Sequence, residues 1–399
     1  MKNALVIAGG QWQVPLITEL QQKGYSVTVV DPYDDSKGVL IADDHIKADV
    51  REKEYILSQI RKKYDVVGTD QSDVSVETVA YLAKELGILG NKIEVVRKFA
   101  NKYLSRQYAQ SIGVPVPVFC EVDSVSQIEP FVKLHGGTFI IKPSDAQSSK
   151  GIHLISDVTS CSEIEHYLND ALSYSFTRKA ILERFVNGYE ITVEGFCSNG
   201  KHRVLAMSRK KHFKTGVASA LTYPGNIPLS VKERIVDCDN RYVEQSGLLF
   251  GPTHAEYIVN EETGEFWLVE IACRGGGTLI SSNIVKWVSG FDVQEAYINC
   301  LEGKMIDVKS FIPQEQSAEL HFFEFGGGIV KSIIGIDEVR NMENVLMLHI
   351  PFKEGDTILP CIDDHTRQGF VVVLAKNHKE LYTTINTIEE LLKIELSDK

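Results

Sequence analysis

The sequence that decides the fold is HAEYIVNEETGEFWLVEIACR, which occupies residues 254–274. Two runs rich in β-branched and aromatic residues flank the polar segment Asn260–Glu265, a pattern that predicts two strands joined by a turn. With the turn centred near Thr263, Glu256 lies directly across the strand pair from Glu270. Directly opposed residues share one face of a sheet, with their Cβ atoms about 5 Å apart. The hairpin is therefore predicted to bring two carboxylates together.

The face that carries these carboxylates is predicted to hold further polar side chains. Side chains alternate along a strand, so His254 lies beside Glu256, while Ala272 and Arg274 lie beside Glu270. Two carboxylates held this closely repel each other unless a cation lies between them. The pair therefore indicates a metal site. The alternative is a solvent-exposed hairpin whose outer face is charged.

The composition is that of an ordinary globular protein. The chain has 399 residues, 43% of them hydrophobic and 24% charged, which is enough for two or three domains. A net charge of -12 argues against a nucleic-acid partner, because such binding depends on Lys and Arg. Apolar runs are too short for a membrane span, and the N-terminus lacks a signal-peptide pattern. Seven scattered cysteines without a Cys-x-x-Cys pair predict reduced thiols and a cytoplasmic location.

Periodicity divides the chain into three units. Residues 1–92 alternate strand and helix patterns and predict a doubly wound α/β unit with a parallel sheet. Residues 93–305 mix helices and strands, and about 119–196 form a compact α+β lobe that is expected to close as a lid. Residues 306–399 predict a small β-rich unit that ends in a helix.

The first unit offers a ligand-binding edge, because ligands of doubly wound sheets bind beyond the carboxyl ends of the strands. These ends are Gly9–Gln11 and Thr69–Asp73. The Gly-Gly pair is not a G-x-G-x-x-G motif, so the signal for a dinucleotide oxidoreductase is weak.

A loop of small hydroxyl residues follows Lys142 at the end of a buried strand. Backbone N–H groups and the hydroxyls of Ser148 and Ser149, with Gly151 closing the loop, can cradle phosphates, while Lys142 supplies charge. The loop is not a Walker A motif. The alternative is a surface hairpin loop.

The segment Glu183–Glu190 predicts an extended linker. Backbone groups in such a linker can pair with a purine edge, and the Glu190 carboxylate can accept hydrogen bonds from both ribose hydroxyls. Glu194 shares the strand face of Glu190 and is the second candidate. Taken alone, Glu190 fits a plain surface position equally well.

These pieces, in this order, resemble the ATP-grasp superfamily of carboxylate–amine ligases. The resemblance covers the whole chain and rests on Asn101-Lys102, Ile140–Pro143, Ser149–Gly151, Glu183–Glu190, His254-x-Glu256 and Glu270–Arg274. It implies an α/β and α+β fold with a pre-ATP-grasp domain (1–92), an ATP-grasp domain (93–305) and a small C-terminal domain (306–399).

The resemblance also implies ATP and Mg²⁺, or Mn²⁺, as cofactors, with a role for each matching residue. Lys102 and Lys142 are expected to bind the phosphates, and Glu190 the ribose. Adenine is expected to contact largely the backbone of Glu183, Phe185 and Val186. Glu256 and Glu270 are the expected metal ligands. Ala272 stands where the family often has Asn, which removes a protein ligand for a second metal. Glu-x-Ala-x-Arg followed by Gly275–Gly277 is similar to the L-amino acid ligases that make dipeptides.

The implied reaction activates a carboxylate with the γ-phosphate of ATP, and an amine then attacks the acyl phosphate to form an amide. Arg274 is the expected catalytic residue, clamping the acyl phosphate or the tetrahedral oxyanion. The acceptor pocket is expected to include His254, Gly276, Gly277, Lys210 and Tyr223; the alternative is that residues 208–224 form a solvated basic loop. A neutral His254 packed beside the site is favoured over a metal ligand.

The expected partners are a small-molecule carboxylate and an amine, with no nucleic acid and no membrane, and a homodimer is left open. One alternative is an ATP-dependent carboxylase or formyl-phosphate-type ATP-grasp enzyme of small-metabolite or purine metabolism. A non-catalytic ATP-binding module is another.

Overall fold

The computed structural model describes residues 2–146, 150–156, 158–308, 316–363 and 366–397. Within these ranges, no helix combines the length and the apolar character that crossing a membrane requires.

The N-terminal unit is a four-stranded parallel sheet with helices packed on it. Its strands are β1 (Lys2–Ile7), β2 (Tyr25–Asp31), β3 (Asp44–Lys47) and β4 (Val66–Gly68), in the order β3-β2-β1-β4. Its helices are α1 (Val14–Gln22), α2 (Lys37–Ile41), α3 (Lys53–Gln59) and α4 (Val76–Leu86). Apolar β1 residues are buried on both faces of the sheet, which explains their continuous hydrophobic run. The predicted doubly wound sheet is confirmed.

The apolar spacing of residues 93–112 predicts a single helix, but the structure has two, α5 (Ile93–Ala100) and α6 (Lys102–Ser111). The break falls at Asn101, whose backbone is extended and whose side chain accepts a hydrogen bond from the Leu104 N–H. Such capping satisfies an amide that would otherwise lack a partner at the start of a helix. Lys102 thereby takes the first position of α6, and its N–H donates to the Ser144 carbonyl at 2.7 Å.

The small lobe is an antiparallel sheet covered by two helices. In chain order its elements are β5 (Phe119–Val122), α7 (Val125–His135), β6 (Phe139–Pro143), β7 (His153–Ile155), α8 (Cys161–Tyr174) and β8 (Ala180–Arg184). The strand order is β5-β8-β6-β7, so β8 and β6 are central and carry Glu183 and Lys142. The lobe is shorter than predicted, because residues 189–196 belong to a different sheet.

The remaining elements build one large sheet and one small one. From 189 to 301 they are β9 (Tyr189–Ser198), β10 (Lys201–His212), β11 (Ala218–Tyr223), α9 (Leu229–Ser246), β12 (Phe250–Val259), β13 (Phe266–Ala272), α10 (Val285–Ser289) and α11 (Val293–Leu301). From 317 to 397 they are β14 (Ser317–Phe322), β15 (Gly328–Ile334), α12 (Ile336–Arg340), β16 (Val345–His349), β17 (Thr357–Ile358), β18 (Phe370–Ala375), α13 (His378–Leu391) and β19 (Lys393–Ser397).

The central sheet has eight antiparallel strands in the order β13-β12-β9-β10-β11-β14-β18-β16. Three of these strands, β14, β16 and β18, come from the predicted C-terminal unit, so that unit shares a continuous sheet with the preceding one. Only β17-β15-β19 forms a separate small sheet. The predicted domain boundaries at 92/93 and 305/306 stay predictions.

Candidate active site

The β12–β13 hairpin has the predicted register. Glu256 pairs with Glu270 and His254 pairs with Ala272, and the register shifts just after Glu256. Both carboxylates line a cavity of about 390 Å³ above the central sheet, here called the first cavity. Its wall brings together five of the residues that the sequence assigned to a nucleotide and a metal: Lys102, Lys142, Glu190, Glu256 and Glu270.

One group of charges, the lobe cluster, consists of Arg106, Lys142 and Glu183. The Glu183 carboxylate accepts from Arg106 Nε at 3.0 Å and forms an ion pair with Lys142, and all three residues are buried. Burial raises the pKa of a carboxyl group, but the two cations outweigh burial and lower the pKa of Glu183 to about 2. Burial and the neighbouring cations lower the pKa of Lys142, which Glu183 opposes. Two cations therefore share one carboxylate.

A second group, the sheet cluster, consists of Glu190, Lys210, His212 and Glu256. Lys210 lies across the β9–β10 ladder from Glu190, forms an ion pair with it, and lies 3.1 Å from the Glu256 carboxylate. His212 Nε2 lies 3.1 Å from the other Glu190 oxygen. Burial opposes the charge of Glu256, but Lys210 and His254 lower its pKa well below the usual range.

The position of Lys210 corrects one expectation. The sequence placed Lys210 in an acceptor pocket or in a solvated basic loop, but it lies within strand β10 of the central sheet. Its ammonium group bridges the proposed ribose carboxylate, Glu190, and the proposed metal carboxylate, Glu256. Lys210 is therefore not in a solvated loop, and its predicted place in an acceptor pocket stays a prediction.

His254 is also different from the expectation of a neutral ring. Its Nδ1 lies 2.8 Å from Glu194 Oε1, and its Nε2 lies 3.7 Å from Glu256. Burial disfavours charge on the ring, but these carboxylates outweigh burial and raise the pKa of His254 to about 10. These carboxylates therefore favour the imidazolium form of His254, and an imidazolium cannot be a metal ligand.

Tyr223 does not line an acceptor pocket, because its side chain is fully buried. Its hydroxyl lies 3.1 Å from Glu194 Oε1 and 3.0 Å from Thr192 Oγ1. Glu194 is itself buried between Tyr223 and His254, so it is not a second ribose candidate. These residues support the site from below.

Arg274 is held by the N-terminal unit. Its Nε and Nη2 donate to the two Asp73 oxygens at 2.9 and 2.7 Å. Nearby, the Gly275 N–H donates to Asp70 at 3.0 Å. Two aspartates from the loop after β4 thus fix the start of the glycine segment, although they are about 200 residues away in the sequence. The fork that was expected to clamp an acyl phosphate is engaged by Asp73 in this structure.

The glycines near the site differ in how much space a side chain would have. A Cβ on Gly276 would lie 2.8 Å from Ile280 Cγ2 and 2.9 Å from Glu194 Oε2, whereas one on Gly277 would meet nothing within 4 Å. Gly151 has a φ of +63°, and its Cβ would lie 2.9 Å from Tyr174. Close packing therefore requires Gly276 and Gly151, and leaves Gly277 open towards solvent or ligand.

The linker residues are only partly available for adenine. Glu183 lies in β8, which pairs with β5 on one side and β6 on the other, so its backbone groups are engaged in the sheet. Glu183 can therefore act only through its carboxylate. The Phe185 N–H donates to the Thr138 carbonyl at 2.9 Å, while the Phe185 ring is exposed and Val186 is half-buried. Ser148 and Ser149 lie outside the described residues.

Lys102 joins the small lobe to the hairpin. Its ammonium group donates to the Ala146 carbonyl at 2.7 Å and to Glu270 Oε1 at 3.3 Å. This contact puts a cation against the second carboxylate of the hairpin, as Lys210 does for the first.

The donor set at Glu256 and Glu270 fits a magnesium ion that is shared with a nucleotide. In the part of the chain that the structure describes, no group of three or more His, Cys, Asp or Glu side chains could hold a metal by itself. Mg²⁺ is usually bound by one or two carboxylates together with substrate phosphates, not by an all-protein cage. Two carboxylates that face a lysine-lined cavity match that requirement.

Sequence reasoning missed Arg106, and it did not single out Asp73 or His212 within the predicted segments 69–73 and 208–224. Arg106 had a usable signal, because it lies four residues after Lys102 and so on the same helix face. Asp73 lies at a strand end that was recognised as a ligand edge, but nothing in the sequence links it to Arg274.

Three family profiles match the chain. The ribonucleotide synthetase preATP-grasp domain matches residues 1–97, the ATP-grasp domain matches 136–282, and the L-amino acid ligase C-terminal domain 2 matches 321–397. The chain therefore contains an ATP-grasp domain, preceded by a segment that matches a preATP-grasp domain. Its C-terminal segment is the domain found in L-amino acid ligases.

Individual proteins agree with this assignment. The chain is 24% identical over 284 residues to alanine–anticapsin ligase of Bacillus subtilis (strain 168), covering 65% of this chain and 58% of that protein. The L-amino acid ligase from Bacillus licheniformis has a TM-score of 0.81 at 19% identity, over 100% of this chain and 99% of the other. Carboxyaminoimidazole ribonucleotide synthase from Aspergillus clavatus, complexed with ATP, has a TM-score of 0.75 at 18% identity, over 98% and 97%.

At these identities the structural likeness shows the fold, and the sequence match spans little more than half of the Bacillus subtilis protein. The expected fold class is confirmed, and so is the expected class of enzyme, an ATP-dependent ligase of ATP-grasp type.

Proposed function

We propose that this protein uses ATP and Mg²⁺ to join a carboxylate, either an amino acid or a related acid, to an amine. The observation that carries the proposal is the meeting of Lys102, Lys142, Glu256 and Glu270 in one cavity. Lysines supply charge for phosphates, and a carboxylate pair supplies ligands for a divalent cation, so the set as a whole suits a Mg-nucleotide. The C-terminal domain of L-amino acid ligases supports an amino acid as substrate.

The two steps are an activation and an amide synthesis. A carboxylate oxygen of the acid attacks the γ-phosphorus, the bond to the β-phosphate oxygen breaks, and ADP leaves with the electron pair. The neutral amine then bonds to the acyl carbon, the acyl C–O bond to phosphate breaks, and inorganic phosphate leaves. The surplus proton on nitrogen passes to solvent.

The residues of the first cavity reduce the repulsion between two anions that must meet. Lys102 and Lys142 would provide positive charge at the phosphates, and the Glu190 carboxylate would accept hydrogen bonds from the ribose hydroxyls. Glu256 and Glu270 are the residues that would hold Mg²⁺, which neutralises phosphate charge in phosphoryl transfer. Asp73 accepts from Nε and Nη2 of Arg274, and the Gly275 carbonyl accepts from Nη1. Arg274 would therefore stabilise the oxyanion at the acyl group through its charge and its remaining N–H groups.

A substrate matrix tests this proposal. Amino acids and small acids are combined in pairs with Mg-ATP, phosphate release is measured, and the products are identified by mass. The expected result is phosphate release that requires an acid and an amine, with a product heavier than the acid by the amine minus water. Phosphate release by no pair, or without any amide, would overturn the proposal.

A second candidate is favoured by one observation, the ribonucleotide synthetase preATP-grasp domain at residues 1–97. It would be an ATP-dependent carboxylase or a formyl-phosphate-type enzyme. ADP release that depends on bicarbonate or formate, and needs no amino acid, would replace the ligase with this activity.

A further inference from the structure

A second cavity of about 810 Å³ lies between the N-terminal unit and the small lobe. It adjoins the first cavity, because Lys102, Ala146, Lys150 and Glu270 line both. Asp73, the partner of Arg274, also lines it. A molecule in the second cavity therefore reaches the residues that are proposed to hold the phosphates and the acyl group.

One wall of the second cavity carries excess positive charge. Glu77 accepts hydrogen bonds from Arg97 Nε at 3.0 Å, Arg97 Nη2 at 2.8 Å and Lys53 Nζ at 2.7 Å, so one carboxylate serves two cations. Arg51 adds a further cation to the wall, and its ion pair with Asp49 is 3.7 Å long. An anionic group of a ligand is the natural partner for such a wall.

The small lobe and α6 give the second cavity an apolar surface. Leu104, Tyr174 and Phe176 line the cavity and are 39%, 47% and 76% exposed. The turn that carries Phe176 is fixed, because Asp145 accepts from the Phe176 N–H at 3.2 Å and the Thr177 N–H at 2.9 Å. Exposed apolar side chains that converge on a cavity are typical of a ligand site.

We propose that the second cavity binds the amine substrate, and that this substrate is an amino acid with a large apolar side chain. Its carboxylate binds at Lys53 and Arg97, and its side chain packs on Tyr174 and Phe176. Its amine is then left near Lys102 and Glu270, where the acyl group is formed. This inference rests on the proposed function, because it assigns one substrate of the ligation.

Binding titrations test the assignment without turnover. The protein is titrated calorimetrically with L-phenylalanine, with L-phenylalaninamide, which lacks the carboxylate, and with L-alanine, which lacks the ring. We expect L-phenylalanine to bind about tenfold more tightly than either, the size of one charged hydrogen bond or of one partly buried ring. Equal affinity for L-phenylalanine and its amide, or no measurable binding of L-phenylalanine, overturns the assignment.

Variants separate the two contacts. Lys53→Gln should weaken L-phenylalanine about tenfold and leave its amide unchanged, whereas Phe176→Ala should remove the preference for L-phenylalanine over L-alanine. Arg97→Gln should repeat the Lys53→Gln pattern if that variant folds poorly. The controls are Lys63→Gln and Leu134→Ala, exposed positions of the same two units that do not line the cavity. Equal weakening of acid and amide by Lys53→Gln would contradict the proposed contact.

Failure here differs from failure of the proposed function. If the titrations fail but some acid and amine still release phosphate from ATP, only the assignment of this cavity is lost. If no pair releases phosphate, the ligase proposal is lost whatever the titrations give.

Discussion

The lobe cluster reaches the first cavity through Lys142, whereas the whole sheet cluster lines it, and the two clusters have opposite balances of charge. In the lobe cluster, Arg106 and Lys142 share the single carboxylate of Glu183. In the sheet cluster, Glu190 and Glu256 share the single ammonium group of Lys210. The first balance leaves positive charge for an anion, and the second leaves negative charge for a cation. A site for a metal nucleotide needs both, and here the carboxylates of the two clusters lie on separate sheets.

The largest effect is expected from removing a carboxylate of the proposed metal site. Glu270→Gln should lower phosphate release by a factor of about 10³ or more, because the metal loses one of two carboxylates. The melting temperature should change little, since the Glu270 side chain is 30% exposed and its ion pair to Lys102 is 3.3 Å long. Glu262→Gln, in the exposed turn of the same hairpin, is the matched control. Near-normal phosphate release by Glu270→Gln would remove the metal-site interpretation.

A smaller effect is expected at Arg274, which lies between the two clusters and the N-terminal unit. Arg274→Lys keeps the charge but loses the planar fork that holds two oxygens. The kcat for amide formation should fall about 10²-fold, while the Michaelis constant for ATP changes by less than about threefold. Steady-state kinetics at varied ATP separate the two constants. A rise confined to the Michaelis constant would place Arg274 on the nucleotide.

On the positive side, Lys142→Ala should raise the Michaelis constant for ATP by about tenfold or more, because a phosphate loses a charge in a partly dry site. The free energy of unfolding should fall by about 1–3 kcal/mol, since Glu183 stays buried with one cation instead of two. Lys179→Ala, which removes an exposed ion pair of the same lobe, is the control. An unchanged dependence on ATP would reduce the loop after Lys142 to a surface hairpin.

The smallest effect concerns pH and belongs to the sheet side. The pKa of His254 is raised from 6.5 to about 10 in the folded protein, chiefly by Glu194 against burial. Its contribution is therefore fully present below about pH 6.5 and is lost as the pH rises through about 10. His254→Gln should lower the free energy of unfolding by about 2 kcal/mol at pH 6, and by much less near pH 10. Denaturant unfolding at several pH values measures this. A difference that is independent of pH would show that His254 is neutral.

The sequence predicted those features that depend on interactions between neighbouring residues in the chain. The hairpin and its Glu256–Glu270 register follow from alternation and a polar turn within about twenty residues. The parallel sheet follows from buried apolar runs between helices. The break at Asn101 was missed because the apolar spacing continues through it, although Asn is a strong capping residue.

The errors lie where distant parts of the chain meet. Lys210 looked like a loop residue because Arg209, Lys210 and Lys211 are consecutive charges, but its strand pairs with β9 and β11 in the sheet. Nothing local to His254 reveals that Glu194, 60 residues earlier, charges its ring. The contact between Asp73 and Arg274 likewise depends on how the N-terminal unit docks.

The continuous central sheet has a consequence for exchanging parts between relatives. Strand β14 pairs along Ala220–Tyr223 of β11, so cutting the chain near residue 306 would uncover a strand edge that carries buried Leu221 and Tyr223. Exposed edges of this kind recruit other strands and aggregate. The segment after residue 306 therefore cannot be exchanged as an independent unit. A chimera would have to keep β11 and β14 from the same parent, and its seam is better placed in a loop than between these two strands.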